Sequence, residues 1–337
     1  MQKELKYYYK KYPYSDIDDF IKFVYQKHFG PAHFIGNPQV SYERICQECQ
    51  NTSQDQYQEL YEYMGGEYAR INLRPYLNYG FSLTMLNNYF INSASSLKNI
   101  KPFIEDLCTL YHFLINNGFN PAITKNKFSQ YRQLNYPPIS HSIQYKNIYH
   151  PSYRVINRKY INNDMRYIQL YNYIKKFSTD KLNLIAIEGK CGSGKTTLTA
   201  KLTQNKPVTV ISADDFFDVA TDSKIGINSK RIINEVINHL IIGHPLKYQK
   251  YNCKNKKYRE AIIEKVHPLV IIEGVFSANP LLINKYNGLV YIDINEKQQI
   301  NRIDKRPLAD KFKKIWIPRE NEYYQKYNIK YNADLIV

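Results

Sequence analysis

Cysteine is scarce in this chain, which has five cysteines among 337 residues. They are Cys46, Cys49, Cys108, Cys191 and Cys253. The first two form a single C-x-x-C pair, and no second pair follows at the spacing that a four-ligand structural zinc site needs. We therefore interpret the pair as incidental. The odd count, with Cys191 inside a glycine-rich stretch, is typical of a protein kept in a reducing compartment.

Long apolar segments are missing as well. No uninterrupted apolar run approaches the roughly 18 residues of a transmembrane helix. The segment that starts at Met1 lacks the apolar core of a secretory signal. These absences predict a soluble, cytoplasmic protein.

A long basic run is also absent, although the formal net charge is +17. Lys, Asn, Ile and Tyr are abundant, with 33 Tyr, and all have A/T-rich codons, so genome bias accounts for the excess without a partner. A polyanionic partner such as nucleic acid is the alternative that the charge leaves open. The hydrophobic content of 43% predicts packed cores, and the length of 337 residues predicts two domains.

Residues 1–157 are predicted to form a mainly α-helical domain of unknown function, without an internal repeat. Apolar residues at helical spacing predict helices at 16–29, 41–49, 54–64, 83–93 and 101–116. Asp16 is the predicted N-cap of the first helix, which Gly30 and Pro31 end.

Four histidines of this half, His28, His33, His141 and His150, could line a pocket with Arg154 or bind a metal. No H-x-x-x-H or H-x-H pair occurs among them, and the last two lie in proline-containing segments. We favour hydrogen-bonded loop histidines as their interpretation.

Residues 158–337 alternate between predicted strands and helices after a helix at 162–177. The strands are predicted at 182–188, 207–212, 268–273, 289–294 and 334–337, and the helices at 195–204, 229–242, 296–305 and 310–327. This alternation predicts an α/β domain, a parallel sheet with flanking helices. Ligands of such sheets bind at the carboxyl ends of the strands.

A phosphate-binding loop of the form G-x-x-x-x-G-K-T follows the first of these strands. Its predicted nucleotide-binding residues are Gly189, Lys190, Cys191, Gly192, Ser193, Gly194, Lys195, Thr196 and Thr197. In this context of strand, loop and helix, backbone N–H groups and the helix N-terminus bind phosphate oxygens. Lys195 would reach the β- and γ-phosphates of ATP, and the Thr196 hydroxyl would ligate Mg²⁺.

Charged residues follow the later strands. Asp214 and Asp215 follow the second strand, where an aspartate could accept a proton from an attacking hydroxyl; a turn cap is the alternative. Glu273 ends the third strand and could hold Mg²⁺, while the glycine after it leaves room for the nucleotide. A basic cluster after the fourth strand, Arg302, Lys305 and Arg306, could neutralise phosphate charge as a closing lid; a solvated helix face is the alternative.

Four features carry a resemblance to a known family: the phosphate loop, the aspartates at 214–215, Glu273 and the basic cluster. Through them, the C-terminal half resembles the uridine kinase and phosphoribulokinase-type branch of phosphate-loop kinases. The tail at 316–337 resembles uridine-kinase-like proteins of low-GC Gram-positive bacteria, some of which carry a similar helical N-terminal module without known activity. The resemblance implies that Asp214 is the catalytic base, with Lys195, Arg302 and Arg306 also catalytic. It implies an acceptor site at Asp214, Asp215, Phe217, Tyr251 and Lys305.

Segment 251–256 departs from that branch, because only Tyr251 matches the Y-D-F-x-x-H stretch that reads the uracil base. The predicted function is therefore a kinase that transfers the γ-phosphate of ATP to a hydroxyl of a nucleoside or related polyol. A nucleotide-dependent switch or scaffold and a kinase acting on nucleic-acid ends are the alternatives. The acceptor, the role of the first 157 residues and the oligomeric state stay open.

Overall fold

The computed structural model describes residues 1–31, 37–50, 59–94, 100–177, 179–217, 226–252, 255 and 257–337. The chain divides into two compact units, Met1–Met165 and Arg166–Val337. Each unit has its own hydrophobic core. Among the described residues, no helix is both long and apolar enough to cross a membrane.

The first unit combines helices with a small antiparallel sheet. Its helices are α1 (Gln2–Lys11), α2 (Ile17–Phe29), α3 (Pro38–Gln50), α4 (Leu73–Asn78), α5 (Leu83–Ile91), α6 (Lys101–Asn116), α7 (Pro121–Gln133) and α8 (Ile143–Tyr149). Its sheet has the order β1 (Tyr61–Tyr63), β2 (Tyr68–Asn72), β3 (Tyr153–Asn157). A helix α9 (Asn163–Ile174) spans the division between the units.

The core of the first unit is aromatic. Tyr8 packs against Phe20 and Phe23, with ring centroids 5.4 and 4.4 Å apart. Asp16 caps α2 as predicted, and the side chain of Asp19 closes the capping box by accepting the Asp16 N–H. The cap and the apolar face of α2 both follow from local sequence, which explains why this helix was predictable.

The predicted helix at 54–64 is wrong where the structure describes it, because Tyr61–Tyr63 is strand β1. Residues 54–58 of that predicted helix lie outside the described residues. His33, one of the candidate histidines, lies outside them as well. All five residues of the neighbouring strand β2 are buried. Strand β1 has only three residues, fewer than the about four over which an alternation of polar and apolar residues identifies a strand.

The second unit is built on a five-stranded parallel sheet, which confirms the predicted α/β fold. The sheet has the order β10 (Leu335–Ile336), β9 (Gly288–Tyr291), β4 (Asn183–Glu188), β8 (Leu269–Glu273), β5 (Val208–Ser212). Each neighbouring pair is parallel. Strand β4 is central, and the chain crosses from β4 over β8 to β5, so the strand order reverses beside β4. Such a reversal opens a crevice at the carboxyl ends of the strands.

The other elements of this unit are helices and one hairpin. The helices are α10 (Lys195–Asn205), α11 (Ser229–Arg231), α12 (Glu296–Ile303), α13 (Ala309–Lys311), α14 (Ile317–Tyr327) and α15 (Ile329–Asn332); π-helical turns follow α11 (Ile232–Val236) and α13 (Phe312–Trp316). The helix predicted at 229–242 ends at His239, because Leu240 has extended backbone angles. Strands β6 (Leu246–Asn252) and β7 (Lys257–Ile263) form an antiparallel hairpin that was not predicted.

Candidate active site

The glycine-rich loop lies between β4 and α10, at a helix N-terminus. Gly189 follows β4 with a φ of +147°, and a Cβ atom there would lie 2.4 Å from the carbonyl oxygen of Ile292. A contact that short excludes every residue except glycine. Gly194 is the N-cap of α10, and Lys195 is its first helical residue. The N–H groups of the first turn of a helix lack intrahelical acceptors, so they are available to an anion.

Lys195 and Thr196 face the end of the neighbouring strand β8. The Lys195 side chain is buried, and its Nζ donates to the carbonyl oxygens of Gly189 at 2.7 Å and Lys190 at 3.2 Å. The Thr196 Oγ1 donates to Glu273 Oε1 at 3.1 Å. Burial raises the pKa of Glu273, while the positive charge of Lys195 lowers it. The loop therefore contacts the strand-end carboxylate through Thr196, and the charge of Lys195 acts on the same carboxylate.

The two aspartates after β5 have different environments. Asp215 is buried, accepts a hydrogen bond from the Tyr248 hydroxyl at 2.9 Å and pairs with Lys250 at 2.6 Å. Asp214 is exposed, and no described residue donates a hydrogen bond to its carboxylate. Surrounding protein atoms nevertheless desolvate Asp214 and raise its pKa, against the opposing charge of Lys195. Within the described ranges, Asp214 therefore has the free carboxylate that a proton acceptor needs, whereas Asp215 is held in place by its neighbours.

The predicted basic cluster is divided in the structure. Arg302 donates from Nη1 to the carbonyl oxygens of Gly192 at 2.9 Å and Ser193 at 3.3 Å. Arg306 is exposed and close enough to Asp214 for its charge to lower the pKa of that carboxyl. Lys305 is exposed, and its side chain has no hydrogen bond or ion pair with any described residue. Arg302 thus binds the loop itself, and Arg306 lies on the side of Asp214.

Two residues at the loop were not predicted. The guanidinium of Arg166, in α9, donates to the carbonyl oxygens of Ser193 at 3.0 Å and Asp293 at 3.3 Å. The carboxylate of Glu320, in α14, accepts the backbone N–H of Cys191 at 2.9 Å. Arg166 lies before the first strand of the sheet, outside any strand-end position. The resemblance covers Glu320 but implies no role for it.

A third unpredicted residue, Glu188, links the loop to the rest of the unit. Its carboxylate is buried and accepts the N–H groups of Gly189 at 3.1 Å and Ala278 at 2.9 Å, as well as the Tyr324 hydroxyl at 2.7 Å. Burial raises the pKa of Glu188, and the hydrogen bonds oppose that change. Glu188 is the last residue of β4 and follows an apolar run. No pattern in the sequence therefore distinguishes it from an ordinary strand residue.

The predicted acceptor residues Phe217 and Tyr251 belong to an aromatic surface. The ring of Phe217 lies 6.1 Å from that of Tyr251 and 5.3 Å from that of Trp316. The ring of Tyr251 is in turn 5.2 Å from that of Tyr258 in β7. Residues 253, 254 and 256 of the altered segment lie outside the described residues. Of these aromatic residues, Trp316 and Tyr258 were not among the predicted acceptor residues.

The residues at this site suit Mg²⁺ better than a transition metal. A hydroxyl and a carboxylate, Thr196 and Glu273, meet beside the phosphate loop, and Mg²⁺ takes oxygen ligands with several positions left for phosphate or water. No group of three or more His, Cys, Asp or Glu residues that could hold a metal exists among the described residues. Burial raises the pKa of the Cys191 thiol to about 12, so the free thiol is protonated at neutral pH.

No family model and no curated protein matches this chain. Among solved structures, a protein described as a possible uridine kinase from Bacillus stearothermophilus aligns over 51% of this chain and 96% of its own, with 19% identity and a TM-score of 0.40. A deoxyadenosine kinase from M. mycoides aligns over 45% of this chain and 89% of its own, with 16% identity and a TM-score of 0.26.

Proposed function

We propose that this protein is a kinase that transfers the γ-phosphate of ATP to a hydroxyl group of a small molecule. One observation carries the proposal. At the carboxyl end of β8, the Thr196 hydroxyl of the phosphate loop donates to Glu273 at 3.1 Å, and the charge of Lys195 lowers the pKa of both Glu273 and Asp214. No described residue donates a hydrogen bond to the Asp214 carboxylate. A loop that only binds a nucleotide needs no unpartnered carboxylate at that position, whereas hydroxyl phosphorylation needs a proton acceptor there.

Each residue then has a distinct task in transfer. Residues 189–197 bind the phosphates of ATP through backbone N–H groups, and Lys195 leaves its carbonyl partners to bind the β- and γ-phosphates. Asp214 orients the acceptor hydroxyl and accepts its proton, while Arg306 neutralises charge that develops on the transferred group. Thr196 and Glu273 would hold Mg²⁺, which supplies further charge neutralisation when bound.

The acceptor that fits best is a nucleoside or a ring-containing polyol. Asp215 and its partner Lys250 fix the segment that carries Asp214. The faces of Phe217, Tyr251 and Trp316 provide surface on which a ring could stack. Aromatic stacking accepts many ring systems, so this wall supports the class of acceptor and leaves the individual compound to experiment.

A phosphoryl-transfer screen tests the function. The purified protein is incubated with ATP labelled at the γ-phosphate and with separate pools of nucleosides, sugars, other polyols and oligonucleotides. We expect label to appear on a nucleoside or polyol. Label on oligonucleotide ends would identify a nucleic-acid kinase, and ATP binding with slow hydrolysis and no labelled acceptor would identify a nucleotide-dependent switch.

Two variants tie the activity to this site. Lys195→Ala should lower kcat about 10²- to 10³-fold, because it removes a charge directed at the transferred phosphate. Asp214→Asn should lower kcat about 10²- to 10⁴-fold while the Kd for ATP stays within a factor of about three, since the base acts on the acceptor. Lys297→Ala, an exposed lysine of α12, is the matched control. Full activity in Lys195→Ala would contradict the assignment.

A further inference from the structure

The first unit contains a cavity of about 780 Å³ that phosphoryl transfer does not explain. Residues of α2, α3, α8 and β3, together with the segment that precedes α8, line it. Its volume lies within the range of small-molecule sites, about 300–1,000 Å³.

Positive charge dominates the lining. Lys22, Arg44, Lys146 and Arg154 all line the cavity, against one carboxylate among the described lining residues, Glu48. That carboxylate is already engaged, because Arg154 binds it with both terminal nitrogens at 2.6 and 2.9 Å. Within the described ranges, no acidic side chain pairs with the other three cations. The cavity therefore carries an excess of positive charge.

Among the three cations without an acidic partner in the described ranges, Lys22 is held in place by a hydrogen bond. It projects from α2, is half-buried, and its Nζ donates to the carbonyl oxygen of Ile139 at 2.8 Å. Burial, together with the charges of Arg70 and Lys146, lowers its pKa to about 8 against the opposing charge of Asp19. An ammonium kept among like charges is stabilised by an anion that binds beside it.

Neutral polar groups complete the wall, and buried hydrogen bonds fix them. His141 bonds to Asp19 at 2.8 Å and to the Tyr153 hydroxyl at 2.7 Å. Gln26 donates to the same hydroxyl at 3.2 Å, and its carbonyl oxygen accepts from Arg70 at 2.8 Å. These side chains have defined orientations before any ligand binds, which lowers the entropic cost of binding.

We propose that this cavity binds a small phosphate monoester, such as a nucleoside monophosphate or a sugar phosphate. The unpaired cations fit a dianionic phosphate, and Gln26 with Tyr153 fits the hydroxyl groups of the attached ribose or sugar. The site is lined by residues of the first unit, whereas the phosphate loop belongs to the second. It stands whether or not the second unit is a kinase.

Isothermal titration calorimetry on the full chain tests the site, without ATP or Mg²⁺. The probes are UMP and glucose 6-phosphate, and their uncharged counterparts uridine and glucose serve as controls. We expect at least one phosphate ester to bind at least tenfold more tightly than its counterpart, and the same affinity in Lys195→Ala. Loss of binding in Lys195→Ala would place the ester at the phosphate loop and overturn the proposal.

Charge reversals locate the bound ester. Lys146→Glu and Arg44→Glu change exposed side chains at the cavity, so the fold should tolerate them. Each should weaken ester binding at least tenfold. Lys125→Glu makes the same charge change on an exposed lysine of α7 outside the cavity and should leave binding unchanged. Equal weakening in Lys125→Glu and Lys146→Glu, or equal binding of esters and uncharged counterparts, would overturn the proposal.

Discussion

Asp214 and Asp215 are adjacent in sequence, yet they differ in what surrounds them. The strand-end position predicted a functional carboxylate, and the resemblance favoured Asp214. What separates the two residues physically is a pair of partners on the unpredicted hairpin, Tyr248 and Lys250. A sequence reading cannot assign such partners, because they arrive from another part of the chain.

The environment of Asp214 leads to a prediction about pH. Desolvation raises its pKa, so the carboxylate is protonated, and inactive as a base, at higher pH than an ordinary aspartate. The acidic limb of kcat/KM should therefore have its midpoint above about 4, the usual pKa of aspartate. A pH profile of kcat/KM measures it, since this ratio reports ionisations of the free enzyme.

The Lys250→Met variant sharpens that measurement. The positive charge of Lys250 lowers the pKa of Asp214, so removing it should move the acidic midpoint to higher pH. Lys297→Met, distant from the aspartates in sequence and exposed on α12, should leave the midpoint in place. A midpoint that stays at the ordinary aspartate value in all three proteins would show that Asp214 is not the titrating group.

At the scale of elements, the end of β8 determines where Asp214 lies. Gly274 has a φ of +152°, and a Cβ atom there would lie 2.7 Å from the Cβ of Ala213. The sequence predicted that this glycine leaves room for the nucleotide. In the structure, Ala213, the residue before Asp214, fills that room. Gly274→Ala should displace Asp214 and lower kcat about 10-fold or more, with ATP affinity less affected.

A second glycine provides the control for that variant. Gly243 also has a positive φ, of +84°, but nothing lies within 4 Å of a Cβ built there. Gly243→Ala should therefore cost stability, on the order of 1 kcal/mol, without lowering kcat. The kcat of both variants is measured with the acceptor found in the screen. If the two losses are comparable, backbone strain and not displacement of Asp214 causes the loss of kcat.

Elements with local sequence signals were the ones that could be predicted. The five strands of the parallel sheet and the helices α2, α6 and α10 match their predicted ranges closely, because apolar periodicity and end signals mark them. The sheet of the first unit and the β6–β7 hairpin were missed. Their short or polar strands are stabilised by pairing between segments distant in sequence, such as β2 with β3, and this pairing leaves no local pattern.

In the first unit, the contact between α2 and the segment before α8 predicts a stability that depends on pH. Burial lowers the pKa of His141 to about 4, below its usual value near 6.5. The unfolded chain then binds more protons than the folded chain between those values, so stability falls as the pH is lowered from 6.5 toward 4. The loss should reach at most about 3 kcal/mol, and His141→Gln should remove this part of the pH dependence.

Hydrogen exchange of peptides from Met1–Met165 measures this change in stability. The exchange is measured at pH values between 7 and 4.5 and corrected for the intrinsic exchange rate. The wild-type protein should lose protection as the pH falls, and the variant should lose less. Equal slopes in the two proteins would assign the acid sensitivity to groups other than His141.

At the scale of the whole molecule, the proposed nucleotide site and the single tryptophan belong to the same unit. Trp316 lies in Arg166–Val337, so its fluorescence reports unfolding of that unit. Because a ligand that binds only the folded state stabilises it by RT ln(1 + [L]/Kd), ATP with Mg²⁺ at 100 times Kd should add about 2.7 kcal/mol. Urea unfolding followed by Trp316 fluorescence measures this increment, which Lys195→Ala should largely abolish and Lys297→Ala should retain.

Since every residue placed at the nucleotide site lies in the second unit, hydrogen-exchange protection of peptides from Met1–Met165 should change little in the same samples. An absent increment at saturating ATP would mean that the loop between β4 and α10 does not bind this nucleotide, whatever the first unit binds.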